Sequence, residues 1–135
     1  MEAQYPPGIQ LADLTTMTKP FMFIAAAEDF PLFNLSIEDN FRRYPAEAWR
    51  VVVRDTAHYS FTDICGLVPE LDLGSCSPAP RQTDPSVTYE PLPIERARDL
   101  TKQFVATFFQ RELLGQGRGP RSVARGADAT LEHHR

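Results

Sequence analysis

Residues 19–58 read KPFMFIAAAEDFPLFNLSIEDNFRRYPAEAWRVVVRDTAH, and this stretch decides the fold class. It opens on Lys19 and Pro20, followed by the unbroken apolar run FMFIAAA at 21–27. Proline is tolerated at the first position of a strand, and a continuous apolar run marks a strand covered on both faces, as in a parallel sheet. Glu28, Asp29, Phe30 and Pro31 end that strand with charge and a second proline. Residues 32–44 place Leu32, Leu35 and Phe41 at near-helical spacing, which predicts a helix stopped by Pro45. The run WRVVV at 49–53 predicts a second strand that ends in RDTAH at 54–58. Strand, helix and strand in this order make a βαβ unit, so the two strands are expected to run parallel.

Beyond His58, residues 59–71 set Ile64, Leu67, Val68 and Leu71 behind Thr62 and Asp63. This reads as a short helix capped by Ser60 or Thr62, with Asp63 favoured by the dipole in its first turn. Residues 72–93 are rich in Pro, Ser, Asp and Gly and read as a long surface loop. An amphipathic helix is expected from 95 to 114. Ala97, Leu100, Phe104, Val105 and Phe108 form its apolar stripe, and Gly115 marks its end. The Gly/Arg-rich stretch 116–135 reads as a disordered tail. Its LEHH at 131–134 resembles a vector-derived tag, so His133 and His134 are set aside as functional residues. Before residue 19, a Pro-Pro-Gly break at 6–8 precedes a weak helical turn around Ile9, Leu11 and Leu14. No basic region followed by an apolar core marks a secretory signal there. The expected organisation is a lead-in at 1–18, an α/β domain at 19–115 and a tail at 116–135.

Composition narrows the function classes. The 135 residues carry 14 Lys+Arg against 18 Asp+Glu, a formal net charge of −4, with a pI near 5.3. With no Lys/Arg-rich run, a dedicated nucleic-acid binder is not expected. At 42% apolar and 24% charged residues, the chain sits in the globular range. No apolar run approaches the roughly 18 residues of a membrane span. Cys65 and Cys76 can form at most one disulfide. They lack CxxC spacing and a paired histidine, so they do not read as a zinc site; Cys65 reads as a small core residue.

In open α/β sheets the reactive groups sit beyond the carboxyl ends of the strands. Two ionisable residues occupy those positions, Asp29 after the first strand and His58 after the second. His58, in the turn TAHYSF at 56–61, suits a general base, the alternative being a hydrogen-bonded structural histidine. Asp55 is too near His58 along the strand to orient it. Glu28 reads as solvent-facing, and Phe30 and Phe33 as packing residues or as the wall of an acyl pocket. Arg42 and Arg43 read as a solvated helix face. No cofactor motif occurs, so none is expected; the one metal-ligating combination is Asp29, His58 and Asp63.

The segment HYSFTD at 58–63, behind the strand at 49–57, resembles the final strand and catalytic-histidine turn of α/β-hydrolases, in particular the bacterial platelet-activating-factor acetylhydrolase-like esterases and lipases. The KPFMFI strand, the Pro-rich loop and the closing FVATFF…LLG helix follow the same layout in the same order, over roughly residues 6–115. The resemblance implies the C-terminal part of an α/β-hydrolase fold, with parallel strands, flanking helices and an incomplete sheet. It also implies a Ser-His-Asp triad acting on carboxylic esters, such as phospholipid acetyl or short-acyl esters, with His58 as its histidine. Asp29 is the acid if the acid follows the penultimate strand; in the acetylhydrolase-like branch it lies one strand earlier. The family's nucleophile motif, G-x-S-x-G, does not occur, and GSCS at 74–77 lies after the histidine. The expectation is therefore a hydrolase fragment, inactive alone and competent only with a missing N-terminal half that carries the serine; the other partner considered is a second copy of the chain. The rival is a non-catalytic binding or self-associating module, because two strands leave open sheet edges. Neither a nucleic-acid partner nor a transmembrane segment is expected, and no compartment is legible.

Overall fold

The computed structural model describes residues 16–62, 64–67, 76–123, 126 and 128–135. Strand β1 spans Phe21–Ala26, helix α1 Pro31–Arg43 and strand β2 Ala48–Val53. The four-residue helix α2, Ile64–Leu67, leads to a small hairpin of β3, Ala79–Pro80, and β4, Thr88–Tyr89. Helix α3 spans Ile94–Leu114 and strand β5 Ala129–His134.

The βαβ unit forms as its residues dictate. Strands β1 and β2 pair in parallel with Phe21 opposite Ala48 and Ala26 opposite Val53. Pro31 occupies the start of α1, where its missing N–H costs nothing. Arg42 and Arg43 in the last turn meet the negative end of the helix dipole and pair one turn back with Glu38 and Asp39. The helix stops at Tyr44, whose hydroxyl donates to the Lys19 carbonyl at 2.9 Å and so ties the end of α1 to the approach of β1. The expected apolar stripe of α1 is narrower than its spacing suggests. Phe41 is buried, but Leu32 and Leu35 are 62% and 54% exposed.

The sheet has the order β1-β2-β5. Residues 116–135, read from the sequence as a disordered tail, instead return to the sheet. A 3-10 turn at Gly119–Ser122 is followed by β5, which pairs antiparallel with β2, Ala48 opposite His134 and Val53 opposite Ala129. The reason lies in its alternation. Ala129 and Leu131 pack into the core on one face, while Glu132 reaches Arg50 at 2.5 Å and His134 Nε2 meets the Phe41 carbonyl at 2.7 Å on the other. The sheet is thus mixed, where parallel strands alone were expected.

Helices cover both faces. Val51, Val53, Leu100 and Phe104 form the main core, with Met22, Ile24 and Leu131 packed against it, and this is the α3 side. Phe41, Tyr44 and Ala48 with Phe23 form a smaller core on the α1 side. Within α3, Ala97, Leu100, Phe104 and Phe108 are buried as the spacing predicts, whereas Val105 faces outward. Gly115 ends α3 with φ 64°, and the Gly115 and Gln116 amides return to the carbonyls of Arg111 and Gln110 at 3.0 and 3.1 Å.

The cysteines are joined. Cys65 and Cys76 form a disulfide across 11 positions of sequence, so Cys65 is a crosslink rather than a lone core residue. The molecule is mixed α/β, with a small mixed sheet and two principal helices. Among the described residues no helix is long and apolar enough to cross a membrane. The weak turn expected around Ile9, Leu11 and Leu14, Asp63, the end of the expected helix at 68–71 and the start of the expected loop at 72–75 lie outside the described residues.

Candidate active site

The parallel ladder continues past the strand ends and then stops. Ala27 N donates to the Val53 carbonyl at 2.9 Å, and Glu28 N to the Thr56 carbonyl at 2.8 Å. Asp29 and His58 follow at once. The Asp29 Oδ2 atom lies 3.2 Å from His58 Nδ1, so the two residues singled out from sequence are brought together. Asp29 Oδ1 accepts from the Phe30 amide at 2.7 Å, which fixes the carboxylate against the start of α1. Asn34, one turn into α1, donates to the Ala27 and Asp29 carbonyls at 3.4 and 3.5 Å and holds the same turn from behind.

His58 begins a 3-10 turn, His58–Phe61. The turn is closed by Ser60, whose Oγ accepts from the Ala57 amide at 2.9 Å. Beneath it, the fully buried Thr56 hydroxyl donates to the Val53 carbonyl at 2.7 Å. These bonds hold the backbone of a short, sharp turn, and the imidazole projects from it. Its ring stacks on Phe33 at 5.6 Å, with Tyr59 edge-on at 5.0 Å. The His58 side chain is 47% exposed and that of Asp29 only 11%. An ionised carboxylate can only accept, so Nδ1 carries the proton toward Asp29 and Nε2 is left as the basic nitrogen. This is the geometry of a histidine oriented by an acid.

A second group of charges sits immediately behind the pair. Glu28, expected to face solvent, is buried at 7% exposure. Its carboxylate accepts from Arg81 Nη1 at 2.6 Å and from the Gln82 amide at 2.8 Å. The other arm of the same guanidinium donates to Asp55 Oδ1 at 2.6 Å, and the Arg81 head lies 5.5 Å from the centre of the Tyr89 ring. The hydrogen bonds from Asp55 and then Glu28 push the Arg81 pKa further up, so it is a permanent cation. Burial, reinforced by the Glu28 charge, raises the Tyr89 hydroxyl. Asp55 adopts φ 51°, a left-handed conformation that aspartate tolerates better than most residues. Arg81 was the feature that sequence reading missed. Its partners lie 53 and 26 positions away, and a lone arginine in a Pro-rich loop gives no local sign of them.

The opposite end of β2 holds a separate cluster. Trp49 stacks on His133 at 3.8 Å, and Arg111 and Arg121 approach its ring at 5.0 and 5.7 Å. Glu47 accepts from Arg111 Nη1 and from His133 Nε2, each at 2.7 Å. Burial alone would push the Glu47 carboxyl up, but these two hydrogen bonds and charges outweigh it and hold the pKa below the ordinary value. Here His133 locks β5 in place.

Among the described residues no group of three His, Cys, Asp or Glu could hold a metal ion, and Asp63 lies outside them. A cleft of about 270 Å³ lies beside the disulfide, between Ser60, Glu90 and Leu92, and its lining includes neither Asp29 nor His58. Phe33, stacked on His58, and Phe30, 5.9 Å from Phe33, are 46% and 61% exposed instead of packed. No protein family, curated protein or solved structure compared with the chain gives a match.

Proposed function

We propose that this chain carries the acid–base part of a serine-type carboxylic-ester hydrolase, with the nucleophilic serine contributed by a further polypeptide segment. The observation that carries this reading is the 3.2 Å contact between Asp29 and His58 at the ends of adjacent parallel strands. His58 Nε2 takes the proton of a serine hydroxyl as its oxygen attacks the ester carbonyl carbon. It then returns that proton to the departing alkoxide, leaving an acyl-serine. Water repeats the cycle, and the acyl group leaves as a carboxylic acid. Asp29 stays ionised throughout, holding the Nδ1–H tautomer and stabilising the imidazolium. The exposed rings of Phe30 and Phe33 beside His58 suit an apolar acyl chain, as in a lipid or short-acyl ester.

The purified chain should take no label from a fluorophosphonate probe. Combined with a G-x-S-x-G-bearing polypeptide encoded beside it, the pair of chains should label at a single serine and turn over p-nitrophenyl acetate. His58→Ala should abolish that turnover, and Asp29→Asn should lower it by up to about 10⁴-fold. Serine labelling in the chain alone, turnover indifferent to His58→Ala, or the lack of any such neighbouring polypeptide would each overturn the proposal. A second reading, a non-catalytic self-associating module, is favoured by the exposure of Phe30, Leu32, Phe33 and Leu35 on one end of α1. A soluble, monodisperse dimer with no response to any serine-bearing partner would select it.

A further inference from the structure

We infer that Arg81 is the positioning residue of the Asp29–His58 pair, an inference that rests on the proposed hydrolase reading and deepens it. The backbone ladder between β1 and β2 ends at the bond from Glu28 to Thr56. Past that point no strand pairing fixes how far Asp29 stands from His58. The Arg81 guanidinium takes over where the ladder stops. One arm holds Glu28, the residue before Asp29, and the other holds Asp55, three residues before His58, both at 2.6 Å.

Two features make this more than a surface ion pair. Glu28 and Asp55 converge on one guanidinium, so without it two carboxylates would face each other and drive the strand ends apart. The planar fork also sets their separation, which a point charge such as a lysine ammonium cannot do. The segment that carries Arg81 is itself anchored to both strand ends. Gln82 N donates to Glu28 Oε2 at 2.8 Å, and Leu92 N donates to the Asp55 carbonyl at 2.6 Å. The Pro-rich segment thus acts as a brace behind the pair. Its stiffness is useful because a 3.2 Å contact is at the long end for a hydrogen bond to a carboxylate.

The test reads the tautomer of His58 directly, by nitrogen-15 NMR of the imidazole in the full chain at about pH 8.5, two units above the ordinary imidazole value. In the wild-type chain Nδ1 should be the protonated nitrogen. Arg81→Ala should lose that preference and move the ring toward the Nε2–H form, as Asp29→Ala should, while the melting transition stays cooperative. Arg81→Lys, which restores charge without the fork, should recover only part of it. Retention of the wild-type tautomer in a folded Arg81→Ala chain would overturn the inference. Should Arg81→Ala fail to fold, Glu28→Ala and Asp55→Ala each remove the acceptor of one arm. Loss of the Nδ1–H form in both supports the brace, and retention in either one overturns it. None of these outcomes needs a serine or a substrate, so failure of the brace leaves the hydrolase proposal standing. A wild-type chain already in the Nε2–H form would instead overturn the Asp29–His58 pairing, and the proposed function with it.

Discussion

A histidine is held in one tautomer when one of its nitrogens is committed to a partner, and Asp29 Oδ2 stands 3.2 Å from His58 Nδ1. Both residues were legible in the sequence, since a βαβ unit says where its strand ends must lie. Glu28 was not, because its burial depends on a cation 53 positions away. His133 was missed for a similar reason, since the Glu47 and Arg111 groups that hold it belong to other elements. At this scale Glu47 carries the clearest dependence on pH. Its folded pKa is depressed, so its contribution to stability is full above the unfolded value of 4.5 and disappears as pH falls through the lower folded value. Urea midpoints of the wild-type chain should fall as the solution is acidified from about pH 5 to pH 3. Glu47→Gln should flatten part of that fall, and an identical slope in the variant would assign it to other carboxylates.

Among the elements, α3 shows how far periodicity carries. Its stripe was read correctly at Ala97, Leu100, Phe104 and Phe108, and incorrectly at Val105, which lies just off the buried arc. Removing the Phe104 ring, fully buried between β2 and α3, should cost about 3–5 kcal/mol. The same truncation at Val105 should stay within about 0.5 kcal/mol; denaturant titration of Phe104→Ala and Val105→Ala checks both. Strand β5 escaped notice because ATLEHH is short and only weakly apolar, and Gly/Arg-rich sequence precedes it. Its period-two signal, Ala129, Leu131 and then His133, gains meaning only once β2 is there to receive it. Gly119, at φ 65°, steers the chain back toward the sheet, and a Cβ at that position would sit 2.6 Å from Arg111 Cδ.

For the whole molecule, the consequence of β5 is that β2 becomes a central strand, paired on both sides. The sequence allowed a parallel pair with flanking helices to be foreseen, but not the mixed sheet, because closing it requires contacts between chain segments about 80 positions apart. Deleting 129–135 should therefore do more than shorten an end. It strips the ladder from one edge of β2 and uncovers Leu131's share of the core and the face of Trp49. Light scattering after size exclusion should find the shortened chain in larger, heterogeneous species at concentrations where the full chain is monodisperse. A monodisperse shortened chain with an unchanged melting temperature would show that β5 is dispensable to the core.

Trp49 is the chain's single tryptophan. Its indole is sealed from water at 1% exposure by the imidazole of the last strand, with two guanidinium groups against its ring. The protein therefore carries its own optical label at the seam between its middle and its end. Ring stacking at 3.8 Å alters both the intensity and the colour of indole emission, so the docking of the C-terminal strand can be watched in real time on the native chain, with no dye attached and no residue replaced.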